Sequence, residues 1–190
     1  MRAIKTVKLI GGFINLLEIA GIIGVLLMTL LFQFVMHELP CPLCLLQRVG
    51  CLGIAYGFLL NFRFGFRPSH YSVVLMSGLF TSFVALRQIA LHVIPGTGAY
   101  GSALLGFHLY TWSFITAMAI VIVTTVLLGL ERQYHHLEDL RSLYSRSLTN
   151  TLFVLITTII VINMVAVIFE CGFHLCPDNP VSYQLLQKNA

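Results

Sequence analysis

The sequence contains little charge. Lysine, arginine, aspartate and glutamate make up only 9% of its 190 residues, whereas a soluble domain has roughly 25%. So low a charge content excludes an intrinsically disordered chain and a soluble enzyme. The net charge of +4 comes from basic residues scattered in small groups, and the lack of a basic patch excludes a nucleic-acid-binding protein. Internal repeats and low-complexity segments are lacking too.

Hydrophobic residues make up 58% of the chain and form long runs. A bilayer core of roughly 30 Å needs about 20 apolar residues per helix. Five runs nearly free of charge cover residues 9–36, 43–62, 72–94, 107–130 and 151–170. A lipid-exposed segment must satisfy its own backbone hydrogen bonds, so these runs are expected to be helices. The sequence therefore predicts an all-α, multi-pass membrane protein with five transmembrane helices in contact with membrane lipid.

The basic residues outside the predicted spans indicate the orientation of the protein. Eight of them precede span one, follow span two or follow span four: Arg2, Lys5, Lys8, Arg63, Arg67, Arg132, Arg141 and Arg146. Loops 37–42 and 95–106 contain no lysine or arginine, and the C-terminal tail contains only Lys188. By the positive-inside rule, the N-terminus is expected in the cytoplasm and the C-terminus outside it. The first run is too long for a cleaved signal peptide and lacks a small-residue cleavage site. The uncharged loop 95–106 is expected to lie along the outer surface.

Four of the five cysteines form two pairs at the ends of predicted spans, and the fifth lies inside a span. Cys41 and Cys44 form a C-x-x-C motif, Cys171 and Cys176 follow the fifth span, and Cys51 falls inside the second. Both pairs are predicted on the non-cytoplasmic side, where disulfides persist in a bacterium. A C-x-x-C motif is too short to connect distant segments, so its usual uses are thiol–disulfide exchange and metal binding. Cys51 is expected to be a small buried hydrophobe.

The position of the motif favours thiol–disulfide exchange. Pro42 suits the start of a helix, which places Cys44 in its first turn. The free N–H groups and the dipole at this end of the helix stabilise a thiolate. Cys41 lies just outside the helix and is expected to be the more exposed sulfur, open to a soluble partner. Two such cysteines can relay electrons from a partner into the membrane.

A zinc site is the alternative use of the cysteines. Cys171, Cys176, His37 and His174 could in principle supply four ligands. Their spacing is not that of a compact zinc module, and thiols in an oxidising compartment tend to form disulfides. The redox interpretation is therefore preferred, and no metal is expected.

Three polar residues within the spans, Arg48, Gln88 and His92, are candidates for binding a ligand. An intramembrane arginine costs about 3 kcal/mol on insertion scales and indicates a function by default. Gln88 and His92 are four residues apart and so share one helix face. The three side chains could donate hydrogen bonds near Cys44 to the carbonyl oxygens of a quinone, a lipid-soluble two-electron acceptor. The alternative is that Arg48 only extends to the lipid headgroups.

Taken together, these features resemble the DsbB family of disulfide-bond-formation proteins. The shared features are an outward C-x-x-C that opens span two, an arginine four residues on, a short inward Arg-rich turn, polar residues late in span three, and outward loops without basic charge. The most specific stretch is residues 41–48, CPLCLLQR, and residues 106–112, GFHLYTW, look like the family's entry into its fourth helix. The similarity covers roughly residues 10–130.

The resemblance implies a fold, an activity and partners. It implies a four-helix transmembrane bundle in residues 1–130, to which a cytoplasmic loop (131–150) and a fifth helix with a periplasmic cysteine-containing tail (151–190) are added. It implies a protein-dithiol:quinone oxidoreductase of the bacterial inner membrane that oxidises a periplasmic thioredoxin-fold, DsbA-like partner and reduces ubiquinone or menaquinone. Cys41 and Cys44 would be the quinone-coupled pair, and Arg48 the quinone-site arginine.

Two departures from the family pattern concern the second cysteine pair. Better-known members carry it between helices three and four, where residues 95–106 contain no cysteine. Here Cys171 and Cys176 follow an additional span instead. We hypothesise that these two cysteines are catalytic and take over the partner-facing role; the alternative is a structural disulfide.

Three other functions compete with this interpretation. A vitamin K epoxide reductase-like bundle also couples C-x-x-C to quinone, but its C-x-x-C comes late and its loop cysteines early, the reverse of the order here. A non-catalytic membrane protein with structural cysteine pairs and a metal-binding membrane protein are the other two.

Overall fold

The computed structural model describes residues 2–94, 96, 98, 100–130, 134 and 145–187. The helices are α1 (Arg2–Val35), α2 (Pro42–Phe64), α3 (Pro68–His92), α4 (Leu109–Leu128), α5 (Arg146–Cys171) and the short α6 (Gln184–Gln187). Two two-residue strands, β1 (Ala103–Leu104) and β2 (Phe107–His108), pair antiparallel before α4.

The prediction of an all-α chain with five long apolar helices is confirmed. Each of α1 to α5 contains a segment long and apolar enough to cross a membrane. The fifth helix begins at Arg146, five residues before the predicted span. Most of the predicted loop 131–150, with Arg132 and Arg141, lies outside the described residues, as does Lys188. The orientation of the helices across a membrane stays a prediction.

Prolines begin two of the central helices. Pro42 and Pro68 occupy the first turns of α2 and α3, where the missing N–H costs little because first-turn N–H groups have no partner within the helix. Gly65, with φ at 83°, ends α2 in a conformation that favours glycine. Since only residues 65–67 separate the two helices, α2 and α3 pack as antiparallel neighbours, and the end of α3 returns to the start of α2.

The two helices approach closely because α2 presents glycines to α3. A Cβ atom at Gly57 would lie 2.6 Å from Val74 Cγ2 and 3.0 Å from the Val74 backbone nitrogen. A Cβ atom at Gly50 would collide with Thr81. Small residues at a helix crossing allow this approach within a membrane. The close packing holds the C-terminal turns of α3 against the first turns of α2.

The fifth helix belongs to the core of the bundle. Fully buried side chains from α1, α2 and α5 pack in one cluster, among them Ile19, Leu26, Ile54, Phe58, Ile156 and Ile159. Helix α5 contacts both α1 and α2. Its C-terminal end, which leads into the second cysteine pair, is therefore held at a defined place beside the first two helices.

The two loops at the C-x-x-C end of the bundle are tied together. The Tyr100 hydroxyl donates to the Leu39 carbonyl at 2.7 Å, and Ser102 donates to the Glu38 carboxylate from both its backbone nitrogen and its hydroxyl. Burial raises the pKa of the Tyr100 phenol, which keeps it a neutral donor. The segment from Tyr100 to α4 therefore folds over residues 38–41 and stays at this end of the bundle.

Candidate functional site

Cys41 and Cys44 open α2 as the sequence predicts. Cys41 caps the helix: its Sγ accepts from the Cys44 backbone N–H at 3.2 Å. Cys44 lies in the first turn, and both are free thiols. The side-chain hydrogen bond with Cys44, reinforced by burial, raises the pKa of the Cys41 thiol. Of the two sulfurs, Cys44 is therefore the one placed to carry negative charge.

The expectation that Cys41 is the more exposed sulfur is wrong. Cys41 is only 6% exposed, whereas Cys44 is partly exposed. The reason is the tie between the two loops: Tyr100 holds the carbonyl of Leu39, and Leu39 and Pro40 are themselves buried. Cys41 thus follows buried loop residues, and the sequence pattern does not reveal that this loop is packed down.

Gln88 from α3 contacts both sulfurs. Its side-chain nitrogen lies 3.3 Å from Cys41 Sγ and 3.4 Å from Cys44 Sγ. Its oxygen accepts from Gln47 Nε2 at 2.6 Å and lies farther from Cys44 Sγ, at 3.8 Å, than its nitrogen does, so the amide turns its N–H groups toward the cysteines. Because Gln88 is only 1% exposed, this donor can stabilise a thiolate in a site from which water is largely excluded.

Arg48 is buried one turn below Cys44. Its guanidinium donates to Gln33 Oε1 at 2.6 Å and to the Thr29 carbonyl at 3.1 Å, both on α1. It also lies 3.5 Å from Asn163 Oδ1 on α5. With only 8% of the residue exposed, the side chain is held within the bundle by groups of two other helices.

A cavity of about 310 Å³ adjoins the cysteine pair. Its walls come from the second half of α1, the start of α2, the start of α4 and the tied loops; Cys44, Gln47 and Arg48 line it, together with Phe32, Tyr110 and Trp112. A volume of this size suits a small organic ligand. Apolar and aromatic walls with a thiol, an amide and a guanidinium at one side fit a flat, apolar molecule with polar edges, as a quinone ring is.

The other sequence-predicted residues occupy different places. His92 does not line this cavity; its Nδ1 lies 2.8 Å from the Gly98 carbonyl, and its ring stacks on Tyr110, which does line it. Cys51 is buried, as predicted, and borders the cavity. Gln88 therefore contacts both sulfurs and Arg48 lines the cavity with Cys44, whereas His92 is separated from the cavity by one aromatic ring.

Cys171 and Cys176 form a disulfide at the end of α5. Cys171 is buried and Cys176 is partly exposed, while Phe173 and Leu175 between them are 88% and 94% exposed. Sulfurs bonded to each other are not the thiolate ligands that the zinc alternative requires. Within the part of the chain that the structure describes, no group of three histidine, cysteine or acidic side chains could hold a metal ion.

Comparison with protein families identifies the region around the C-x-x-C pair. Residues 12–100 match the family model described as "Disulfide bond formation protein DsbB". These residues are a DsbB family domain. The resemblance predicted from the sequence is confirmed for residues 12–100, whereas the likeness of residues 106–112 lies beyond the matched region and stays a prediction. This domain, the five candidate membrane spans and the two cysteine pairs are consistent with a disulfide-forming oxidase. No curated protein and no solved structure matches the chain.

The DsbB domain contains the first cysteine pair and its polar neighbours, but it ends before α4 and α5. The sequence analysis missed Gln33 within the domain, and Asn163 and Glu170 beyond it, although all three are buried. A lone amide or acid inside an apolar span is costly and usually has a polar partner. That signal could have singled out these residues, but their contacts are visible only in the folded bundle: Gln33 and Asn163 accept from Arg48, and Glu170 accepts from Gln33.

Proposed function

We propose that this protein is a membrane disulfide oxidase, which takes two electrons and two protons from a periplasmic, thioredoxin-fold dithiol and passes them through Cys41 and Cys44 to ubiquinone or menaquinone. The partner leaves with a disulfide, and the quinone leaves as quinol. Such a reaction belongs in the inner membrane of a bacterium, between the lipid-soluble acceptor and the oxidising periplasm.

One observation carries the proposal: Cys44 and Arg48 line the same wall of the cavity beside the DsbB motif. A quinone bound there accepts two electrons and two protons. Arg48 supplies positive charge to bind and orient a carbonyl oxygen, Gln88 stabilises the Cys44 thiolate, and the apolar walls exclude water. Each group named is within contact of the cavity or of the cysteine sulfurs.

The second cysteine pair extends the relay. We propose that the partner exchanges with the Cys171–Cys176 disulfide at the more exposed sulfur, Cys176, and that the resulting dithiol then reduces a Cys41–Cys44 disulfide. Phe173 and Leu175, beside the exposed sulfur, give the loop an apolar surface for the partner.

The direct test mixes the purified protein in detergent with a reduced thioredoxin-fold dithiol protein and a short-chain ubiquinone, and follows quinone absorbance. Quinone loss with stoichiometric formation of partner disulfide is the expected result. Cys41→Ser and Cys44→Ser should each abolish turnover, because thiol–disulfide exchange at this pair needs one sulfur to form the mixed disulfide and the other to resolve it. Turnover near the parental rate in either variant would remove the C-x-x-C pair from the mechanism.

A further inference from the structure

We propose that Glu170 of α5 is a positioning residue, which orients Arg48 toward the cavity through the amide of Gln33 and thereby sets the affinity of the cavity for its quinone. The inference rests on the proposed function. It concerns a residue outside the DsbB domain, on the helix that this chain adds to that domain.

The contacts run in one line from α5 through α1 to α2. Gln33 Nε2 lies 3.5 Å from Glu170 Oε2, and Gln33 Oε1 accepts from Arg48 Nη1 at 2.6 Å. An amide has one donor end and one acceptor end, whereas a carboxylate only accepts. The Glu170 carboxylate therefore decides which end of Gln33 turns toward Arg48, and the acceptor end is the one that a guanidinium needs.

Charge supports the same assignment. Glu170 lies within electrostatic range of Arg48, so its carboxylate offsets part of the cost of burying a guanidinium in an apolar bundle. Asn163, two turns earlier on the same face of α5, adds an acceptor 3.5 Å from Arg48 Nη1. Helix α5 thus presents an amide to Arg48 directly and an acid to it through Gln33.

Glu170 is almost fully buried, although burial of an acidic side chain in an apolar bundle costs free energy. It is 1% exposed, and its Oε1 has no hydrogen-bond partner among the described residues. An acid inside an apolar span is costly and usually marks a functional place. Its one described side-chain bond goes to the amide that holds Arg48, which assigns that function to Arg48 and not to the packing of α5.

The test measures quinone binding, not turnover. Trp112 is the only tryptophan of the chain and lines the cavity, so quenching of its fluorescence by short-chain ubiquinone reports binding to the full-length protein in detergent. Glu170→Gln should weaken binding about tenfold, within the range of couplings inside one hydrogen-bond network. Arg48→Lys should weaken it too, and the double variant should bind no worse than Arg48→Lys alone, because Glu170 acts only through Arg48.

Glu18→Gln is the matched control. This variant also replaces an acid by an amide inside a span. The carboxylate of Glu18 has no hydrogen-bond partner in the described structure, and Glu18 does not line the cavity. It should bind quinone as the parent does. Gln33→Met removes the amide that joins Glu170 to Arg48 and keeps the carboxyl group of Glu170, so it should reproduce the loss seen in Glu170→Gln and decides the matter should the latter fail to fold.

The possible failures are distinguishable. If short-chain ubiquinone does not quench the parental protein, the quinone site is wrong and this inference falls with it. If the parent binds quinone and Glu170→Gln and Gln33→Met bind it as tightly as the parent, Glu170 does not position Arg48. The same follows if the losses of affinity in Glu170→Gln and Arg48→Lys add in the double variant. In both cases the proposed function stands.

Discussion

The side-chain nitrogen of Gln88 lies 3.4 Å from the sulfur of Cys44. This places a neutral donor from α3 on the thiol that can carry negative charge, in a buried setting where a hydrogen bond to an ion is strongest. The contact joins two residues 44 positions apart in sequence and depends on the close packing of α2 and α3.

Gln88→Met should lower the maximal rate of quinone reduction at least about tenfold, because a hydrogen bond to a charged group contributes about 1.5–3 kcal/mol. The KM for quinone should change less, since the amide contacts the sulfurs. Steady-state kinetics with a short-chain quinone measure both quantities. Ser82→Ala is the control on the same helix, because the buried Ser82 hydroxyl has no hydrogen-bond partner in the described residues. An unchanged maximal rate in Gln88→Met would show that the amide only fills space.

Replacing both Cys171 and Cys176 by serine should stop turnover with the thioredoxin-fold partner and leave turnover with a small dithiol intact. The small molecule can reach the partly exposed Cys44 without the tail, whereas the larger protein partner is proposed to react at Cys176, beside the exposed Phe173 and Leu175. Both rates are read from quinone absorbance. If both substrates turn over at the parental rate, the tail disulfide is only structural, and as such it would contribute roughly 2 kcal/mol in the chain-entropy model.

Gly57→Val should destabilise the bundle, because its side chain would press on the Val74 backbone, which cannot move away by a change of rotamer. Overpacking of this kind costs about 1–3 kcal/mol. The thermal midpoint in detergent measures the effect. Gly21→Val provides the comparison: a Cβ atom at Gly21 meets no atom within 4 Å, so that variant should keep the parental midpoint. Equal midpoints for the two variants would contradict the close approach of α2 and α3.

The sequence predicted the elements well because their causes are local. Hydrophobic runs of membrane length gave five helices, and Pro42 with the C-x-x-C spacing gave the helix start and the place of Cys44 in the first turn. Arg48 and Gln88 were singled out because polar groups in a span are costly. The sequence could predict that both residues lie near Cys44, but not that Gln88 contacts the sulfurs and Arg48 lines the cavity.

The features that the sequence analysis missed are all contacts between residues far apart in the sequence. The tie between Tyr100 and Leu39, beside the buried Cys41, joins residues 61 positions apart, and the partner of Gln33 lies 137 residues further on in α5. Neither pairing leaves a periodic pattern in the sequence. His92 likewise stacks on Tyr110 only once the segment before α4 is in place. That segment is held by the contacts of Tyr100 and Ser102 with residues 39 and 38.

The tie between Glu170 and Gln33 has a kinetic consequence for the second cysteine pair. Cys171 follows Glu170 directly, so the tail is tethered where α5 meets α1, close to the helix start that carries Cys41 and Cys44. In the proposed relay, exchange between the two pairs would therefore be intramolecular, at the millimolar effective concentrations that short tethers provide. Its rate would not change with dilution of the protein, whereas capture of the soluble partner would slow in proportion.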